Sequence, residues 1–138
     1  IRAAKSAAAH EMILELPDGY ETRLRSAQSR LSGGQMQRIG LARAMCGEPP
    51  IVVLDEPNSN LDAIGTDALN AAIRTIKLRK GAVIVMAHRP AAIRECDLLL
   101  VLENGTPTAF GPRDEVLRKT VQNHHKMLLA SNDPKSTP

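Results

Sequence analysis

Apolar positions change their period several times along the chain, and each change marks an element. Residues 3–16 are Ala-rich and carry Ile13, Leu14 and Leu16 at their far end, which predicts one helix stopped by Pro17-Asp18-Gly19. The polar run from Tyr20 to Arg30 predicts loop. Ser32 to Met45 predicts a second helix, with Met36, Ile39 and Ala42 at helical spacing and Gly47 near its end. After Pro49-Pro50, Ile51-Val52-Val53-Leu54 is aliphatic without alternation, the pattern of a strand buried on both faces of a parallel sheet, and it runs into Asp55 and Glu56. From Ala63 to Lys80, Ile64, Ala68, Ala72, Ile73 and Ile76 keep a helical period, and Gly81 closes the helix before a strand from Ala82 to Ala87. A crossover of that length makes the two strands parallel and right-handed, so the residues following each strand share one sheet edge. Pro90 fits the first turn of a short segment, Arg89 to Glu95, and Asp97 to Glu103 predicts a further strand. Asn104-Gly105 is a two-residue hairpin signal into Thr106 to Phe110, and a last short helix follows from Pro112 to Arg118. The pattern is that of an α/β protein with a parallel sheet flanked by helices. Residues 120–138 read as a polar tail with a small apolar patch from Met127 to Leu129.

Composition narrows the function classes. With 138 residues, 43% hydrophobic and 24% charged, the chain suits one modest globular domain. Eighteen basic against fifteen acidic residues leave a net charge of +3, short of a nucleic-acid footprint, and Tyr20 and Phe110 are the two aromatics, too few for a base-stacking platform. No nucleic acid is expected as a partner. The longest aliphatic runs, 98–102 and 51–54, are far shorter than the roughly 18–20 residues of a membrane span. Cys46 and Cys96 lack metal-type spacing, and no signal-peptide pattern opens the chain, which fits a reducing cytosol. A start at Ile1, directly in helical sequence, reads as a fragment whose beginning is missing.

Three places carry candidate chemistry. Leu31-Ser32-Gly33-Gly34-Gln35 opens a helix, where backbone N–H groups and the positive end of the helix dipole favour an anion. A capping box, Ser32 at the N-cap and Gln35 three residues on, explains the same residues without a ligand, and the two readings are compatible. Asp55-Glu56-Pro57 ends the buried strand, at the edge where open α/β sheets bind ligands. One carboxylate there can help hold Mg²⁺ while the other faces an attacking water; an acidic turn cluster is the plainer alternative. His88 follows the next strand, so the crossover brings it to the edge of Glu56, where an imidazole can donate to a phosphate or steady a water. His10, His124 and His125 read as structural or solvated. Asn58-Ser59-Asn60-Leu61-Asp62 also reads as an Asx-rich turn capping the next helix.

Together these residues resemble the ATP-binding cassette family. Leu31 to Gln35, continuing through Gln37-Arg38 to Leu41-Ala42-Arg43-Ala44, looks like its signature motif; Ile51 to Glu56 looks like Walker B, Ser59-Asn60-Leu61-Asp62 like the D-loop, and His88 like the switch histidine. The resemblance covers residues 1–119: 1–46 as helical subdomain and signature helix, 47–119 as the core from Walker B onward. Within the family, Asn58-Ser59-Asn60, Ala87-His88-Arg89-Pro90 and Phe110 to Leu117 look most like the protease and lipase exporters of bacterial type I secretion. It implies ATP and Mg²⁺ as cofactors, Asp55 at the metal, and Glu56 polarising the water that attacks the γ-phosphate, which His88 contacts. It also implies that Leu31, Ser32, Gly33, Gly34 and Gln35 touch ATP held by a second cassette in a head-to-tail dimer, with Asp62 at the seam. Further implied partners are a transmembrane domain on the same full-length chain, a membrane fusion protein, an outer-membrane channel and a polypeptide substrate, at the cytoplasmic face of the inner membrane.

Two departures bear on this reading. No Gly-x-x-x-x-Gly-Lys-Ser/Thr occurs in the 138 residues, so the chain alone is not expected to hydrolyse ATP. Ser26-Ala27-Gln28-Ser29-Arg30 stands where relatives of this kind carry a Gly-rich stretch facing the transmembrane domain. A truncated cassette that only docks on a complete one is an alternative, weakened because docking has no chemical use for Glu56 and His88. A DNA-repair type ATPase of the same family is another, weakened because no sustained heptad accompanies the motifs.

Overall fold

The computed structural model describes residues 1–24, 31–88 and 90–120. They divide into two compact units, Ile1–Glu95 and the chain from Cys96 onward. Ser26 to Arg30, the tail and its apolar patch, His124 and His125 lie outside the described residues.

The Ala-rich opening forms two short helices, α1 (Arg2–Ser6) and α2 (His10–Leu14), where the pattern predicts one. Ala8 turns the chain with φ +51°, and Ala9 N–H donates to Ala4 O at 2.8 Å across the turn. The break serves burial. At about 100° per residue an unbroken helix would point Ala4 and Ile13 in opposite directions. Bent at Ala8, the segment buries Ala4, Ala7, Ala9, Met12 and Ile13 in one core, at a conformational cost of about 1–2 kcal/mol for a left-handed alanine.

Helix α3 (Gly33–Ala44) leads through Gly47 to β1 (Ile51–Asp55), followed by α4 (Ala63–Leu78) and β2 (Ala82–Met86). β1 and β2 pair in parallel from Ile51 opposite Ala82 to Asp55 opposite Met86, as the crossover requires. Beneath the pair lie Val52 and Leu54 with Leu69, Ala72, Ile73 and Ile76 of α4, and Leu41, Ala42 and Met45 from the end of α3. The strand is not buried on both faces as its unbroken aliphatic run predicts. Ile51, Val53, Ile84 and Met86 are exposed on the other side, Val53 at 57%. At the end of α4 the left-handed turn falls on Lys80 (φ +64°) rather than on Gly81. Gly81 is needed for space instead: a Cβ there would lie 2.8 Å from Ile76 Cγ2 and 3.0 Å from Pro50 O. A short 3-10 turn, Pro90–Ile93, closes the unit.

In the second unit β3 (Leu98–Glu103) and β4 (Thr106–Pro112) form an antiparallel hairpin with an irregularity between Val101 and Leu102. Asn104 (φ +51°) and Gly105 (φ +76°) are both left-handed, as a tight hairpin turn demands. Residues 113–120 form helix α5, which buries Val116. The hydrogen bond and positive charge of Arg113 hold the Asp114 carboxyl below its ordinary value.

Candidate functional site

The strand end at Asp55-Glu56, the segment Ser59 to Asp62 and the helix that opens at Ser32 meet in the first unit, on a framework set by backbone geometry. Helix α3 begins at a complete capping box. Gln35 N–H donates to Ser32 Oγ at 3.2 Å, and Ser32 N–H donates to Gln35 Oε1 at 2.8 Å. The capping explanation of these two residues therefore holds in the fold, while Gly33 and Gly34 have a separate reason to be glycine. A Cβ on Gly34 would sit 2.7 Å from Asn60 O, and one on Gly33 would sit 3.1 Å from Asn60 Cγ. The Asn60 backbone thus rests directly on the first turn of α3.

The two glycines of α3 that differ in surroundings give a test with opposite signs. Gly34→Ala drives a methyl into the Asn60 carbonyl and should destabilise by about 1–3 kcal/mol. Gly40, with nothing within 4 Å of its Cβ position, should gain up to ~1 kcal/mol as alanine from helix propensity. Urea denaturation followed by circular dichroism checks both; equal shifts would remove the close approach as the reason for Gly34.

Asp55 ends β1 opposite Met86, on the exposed side of the strand pair. Glu56 does not extend the strand, because its φ of +46° turns the chain at once. Its N–H donates to Met86 O at 2.9 Å, and its C=O accepts from Ser59 N–H at 3.2 Å and from Gln37 Nε2 at 2.8 Å. The half-buried carboxylate then meets the imidazole delivered by β2: Glu56 Oε1 and His88 Nδ1 are 2.6 Å apart. Against an ionised carboxylate Nδ1–H donates, which turns Nε2 outward. The other carboxylate oxygen, Oε2, is buried with no hydrogen-bond partner among the described residues.

Asp62 is committed on both of its oxygens. Oδ1 accepts from Gly65 N–H at 2.7 Å as the N-cap of α4, and Oδ2 lies 3.7 Å from an Arg38 nitrogen. Asn58 is buried with Oδ1 unpartnered among the described residues, and Leu31 is half-buried ahead of the capping box. His10 has a structural partner, its Nδ1 lying 2.8 Å from the Tyr20 hydroxyl. One residue to which the motif reading gave no role is central: Gln37, whose amide joins α3 to the turn after β1. The available signal was its spacing, four residues after Gly33 and so on the same helix face.

A family model described as ABC transporter matches residues 3–59. The type I secretion system ATP-binding protein PrsD of Rhizobium meliloti (strain 1021) is 49% identical over 122 residues, covering 88% of this chain and 21% of that protein. The serine protease/ABC transporter B family protein tagD of Dictyostelium discoideum is 38% identical over 138 residues, all of this chain and 7% of that one. Among solved structures, a bacterial Atm1-family ABC exporter with ATP bound superposes with a TM-score of 0.75 at 34% identity, covering 86% of this chain and 21% of that chain. The chain thus spans about a fifth or less of the length of these relatives. Motif order, the parallel strand pair with its strand-end carboxylates, and these matches agree: the chain belongs to the ABC transporter family.

Proposed function

We propose that this chain carries the signature, metal-binding and hydrolytic residues of an ABC cassette that hydrolyses ATP at a seam between two cassettes and thereby powers export. The contact between Glu56 and His88 at the shared strand edge is the observation that carries the reading. It joins a carboxylate able to take a proton to a ring able to hold that carboxylate and donate or accept through its far nitrogen. Residues 1–119 form the ATPase portion, and the longer protein supplies the phosphate-cradling loop.

The donor set suits Mg²⁺. Among the described residues no three His, Cys, Asp or Glu side chains converge on one point, as fits an ion that retains waters and substrate phosphate oxygens and takes one or two carboxylates. Asp55 would hold it, and when bound the ion neutralises charge on the β- and γ-phosphates. Glu56 takes the proton of the attacking water. His88 orients Glu56 through Nδ1 and turns its far nitrogen to the γ-phosphate. Ser32, Gly33 and Gly34, with Leu31 and Gln35 flanking them, present the positive end of α3 to ATP held by the second cassette. Asp62 lies at that seam.

Similarity to a type I secretion system protein favours a polypeptide cargo. The remaining parts would be a transmembrane domain on the same full-length chain, a membrane fusion protein and an outer-membrane channel, with the cassette at the cytoplasmic face of the inner membrane.

ATP turnover by the purified full-length transporter tests this. Turnover should require Mg²⁺ and stop on chelation with EDTA, and restored Mg²⁺ should restore it. A full-length protein that binds ATP and never hydrolyses it would replace this reading with that of a docking cassette.

A further inference from the structure

The side chain of Gln37 has every polar atom engaged, and all its partners lie 19 to 23 residues away in the turn that carries Glu56. Nε2 donates to Glu56 O at 2.8 Å and to Ser59 Oγ at 2.7 Å, and Oε1 accepts from Asn60 N–H at 2.9 Å. Gln37 sits one turn along α3 from Gly33 and Gly34, the residues on which Asn60 rests. Glu56 is left-handed, a conformation a non-glycine residue keeps only when its surroundings hold it there. Two groups from outside the turn pin its peptide units from opposite sides: Met86 O takes its N–H, and Gln37 holds its C=O, which also accepts from Ser59 N–H within the turn. The first belongs to the strand that delivers His88. The second belongs to the helix whose N-terminus faces the other cassette's nucleotide.

From this arrangement we infer that Gln37 is a positioning residue, which makes the setting of the Glu56 carboxylate depend on the placement of the signature helix. The inference rests on the proposed function, since it assumes that Glu56 is the base and that α3 meets the partner's ATP. A shift of α3 on engaging that nucleotide moves the Gln37 amide, and with it the carbonyl that fixes the Glu56 turn. A base aimed this way is in place only when the opposite nucleotide is.

The test uses two variants of the full-length transporter. Gln37→Glu exchanges one NH₂ for oxygen, keeps the acceptor for Asn60 N–H and removes both donors; Gln37→Leu removes all three bonds. Each should lower kcat for ATP about tenfold or more while leaving KM for ATP within about twofold, because Gln37 touches no nucleotide. In a Glu56→Gln background neither should cause a further loss, since the group being aimed is already gone. Native kcat in either folded variant, a loss confined to KM, or full additivity with Glu56→Gln would overturn the inference. Should Gln37→Leu fail to fold by thermal melting, Gln37→Glu decides alone, its shape being that of the original side chain. Failure of the underlying reading looks different: there Glu56→Gln itself keeps normal turnover.

Discussion

Glu56→Gln in the full-length transporter should bind ATP and pair its cassettes normally while hydrolysing ATP about 10²–10⁴-fold more slowly, the range associated with loss of a general base. The substitution preserves size and leaves the backbone anchors of the turn, Met86 O and Gln37 Nε2, untouched. What disappears is the ability to take a proton. A carboxamide can still lie against His88 Nδ1, so the imidazole keeps a neighbour, and any loss of rate is not a loss of local order. Single-turnover hydrolysis alongside equilibrium ATP binding separates the two. Unchanged turnover would remove Glu56 from the reaction and leave the His88 contact as a structural ion pair.

A second large effect is expected from Ser32→Arg, which should abolish hydrolysis while ATP binding to the single cassette survives. Loss of the capping box costs about 1 kcal/mol, a stability decrement that Ser32→Ala should reproduce with pairing of the cassettes intact. Arginine adds two things alanine does not: bulk at the mouth of the helix and a positive charge at the positive end of its dipole. If the first turn of α3 faces a nucleotide across the seam, that bulk keeps the cassettes apart. Sedimentation with ATP would then show monomers for the Arg variant and dimers for the Ala variant. Normal pairing and normal turnover per folded molecule in Ser32→Arg would leave Ser32 with its cap alone.

Elements written in local pattern are the ones the amino-acid order makes legible. The unbroken aliphatic run of Ile51–Leu54 and the helical period of Ile64 through Ile76 mark strand and helix, the length between the two strands fixes the parallel crossover, and the crossover places His88 beside Glu56. Asn104-Gly105 announces its hairpin by the backbone those two residues tolerate. What the pattern hides depends on partners distant in sequence. Alanine is the best helix former, so nothing in Ala7-Ala8-Ala9 marks a break; the break exists because Ile13 and Ala4 must reach one core. Glu56 reads as the next strand residue, yet it turns left-handed, and that turn is held by Gln37 from another helix. The aliphatic run of β1 suggests cover on both sides, yet only the side of Val52 and Leu54 is covered by the described residues. Periodicity reports which side chains avoid water, and says little about which atoms hold a turn.

The crossover that joins β1 to β2 also sets a timetable. Glu56 and His88 are 32 residues apart in sequence. At a synthesis rate of about 5–20 residues per second, the carboxylate is added to the chain roughly 2–6 seconds before its imidazole exists. Over nearly all of that interval Met86 O is missing too, so the Glu56 turn lacks one of its two anchors from outside the turn, while Gln37 is already made. A nascent chain therefore acquires the helix that opens at Ser32 first and the contact between Glu56 and His88 last, once the second strand has docked.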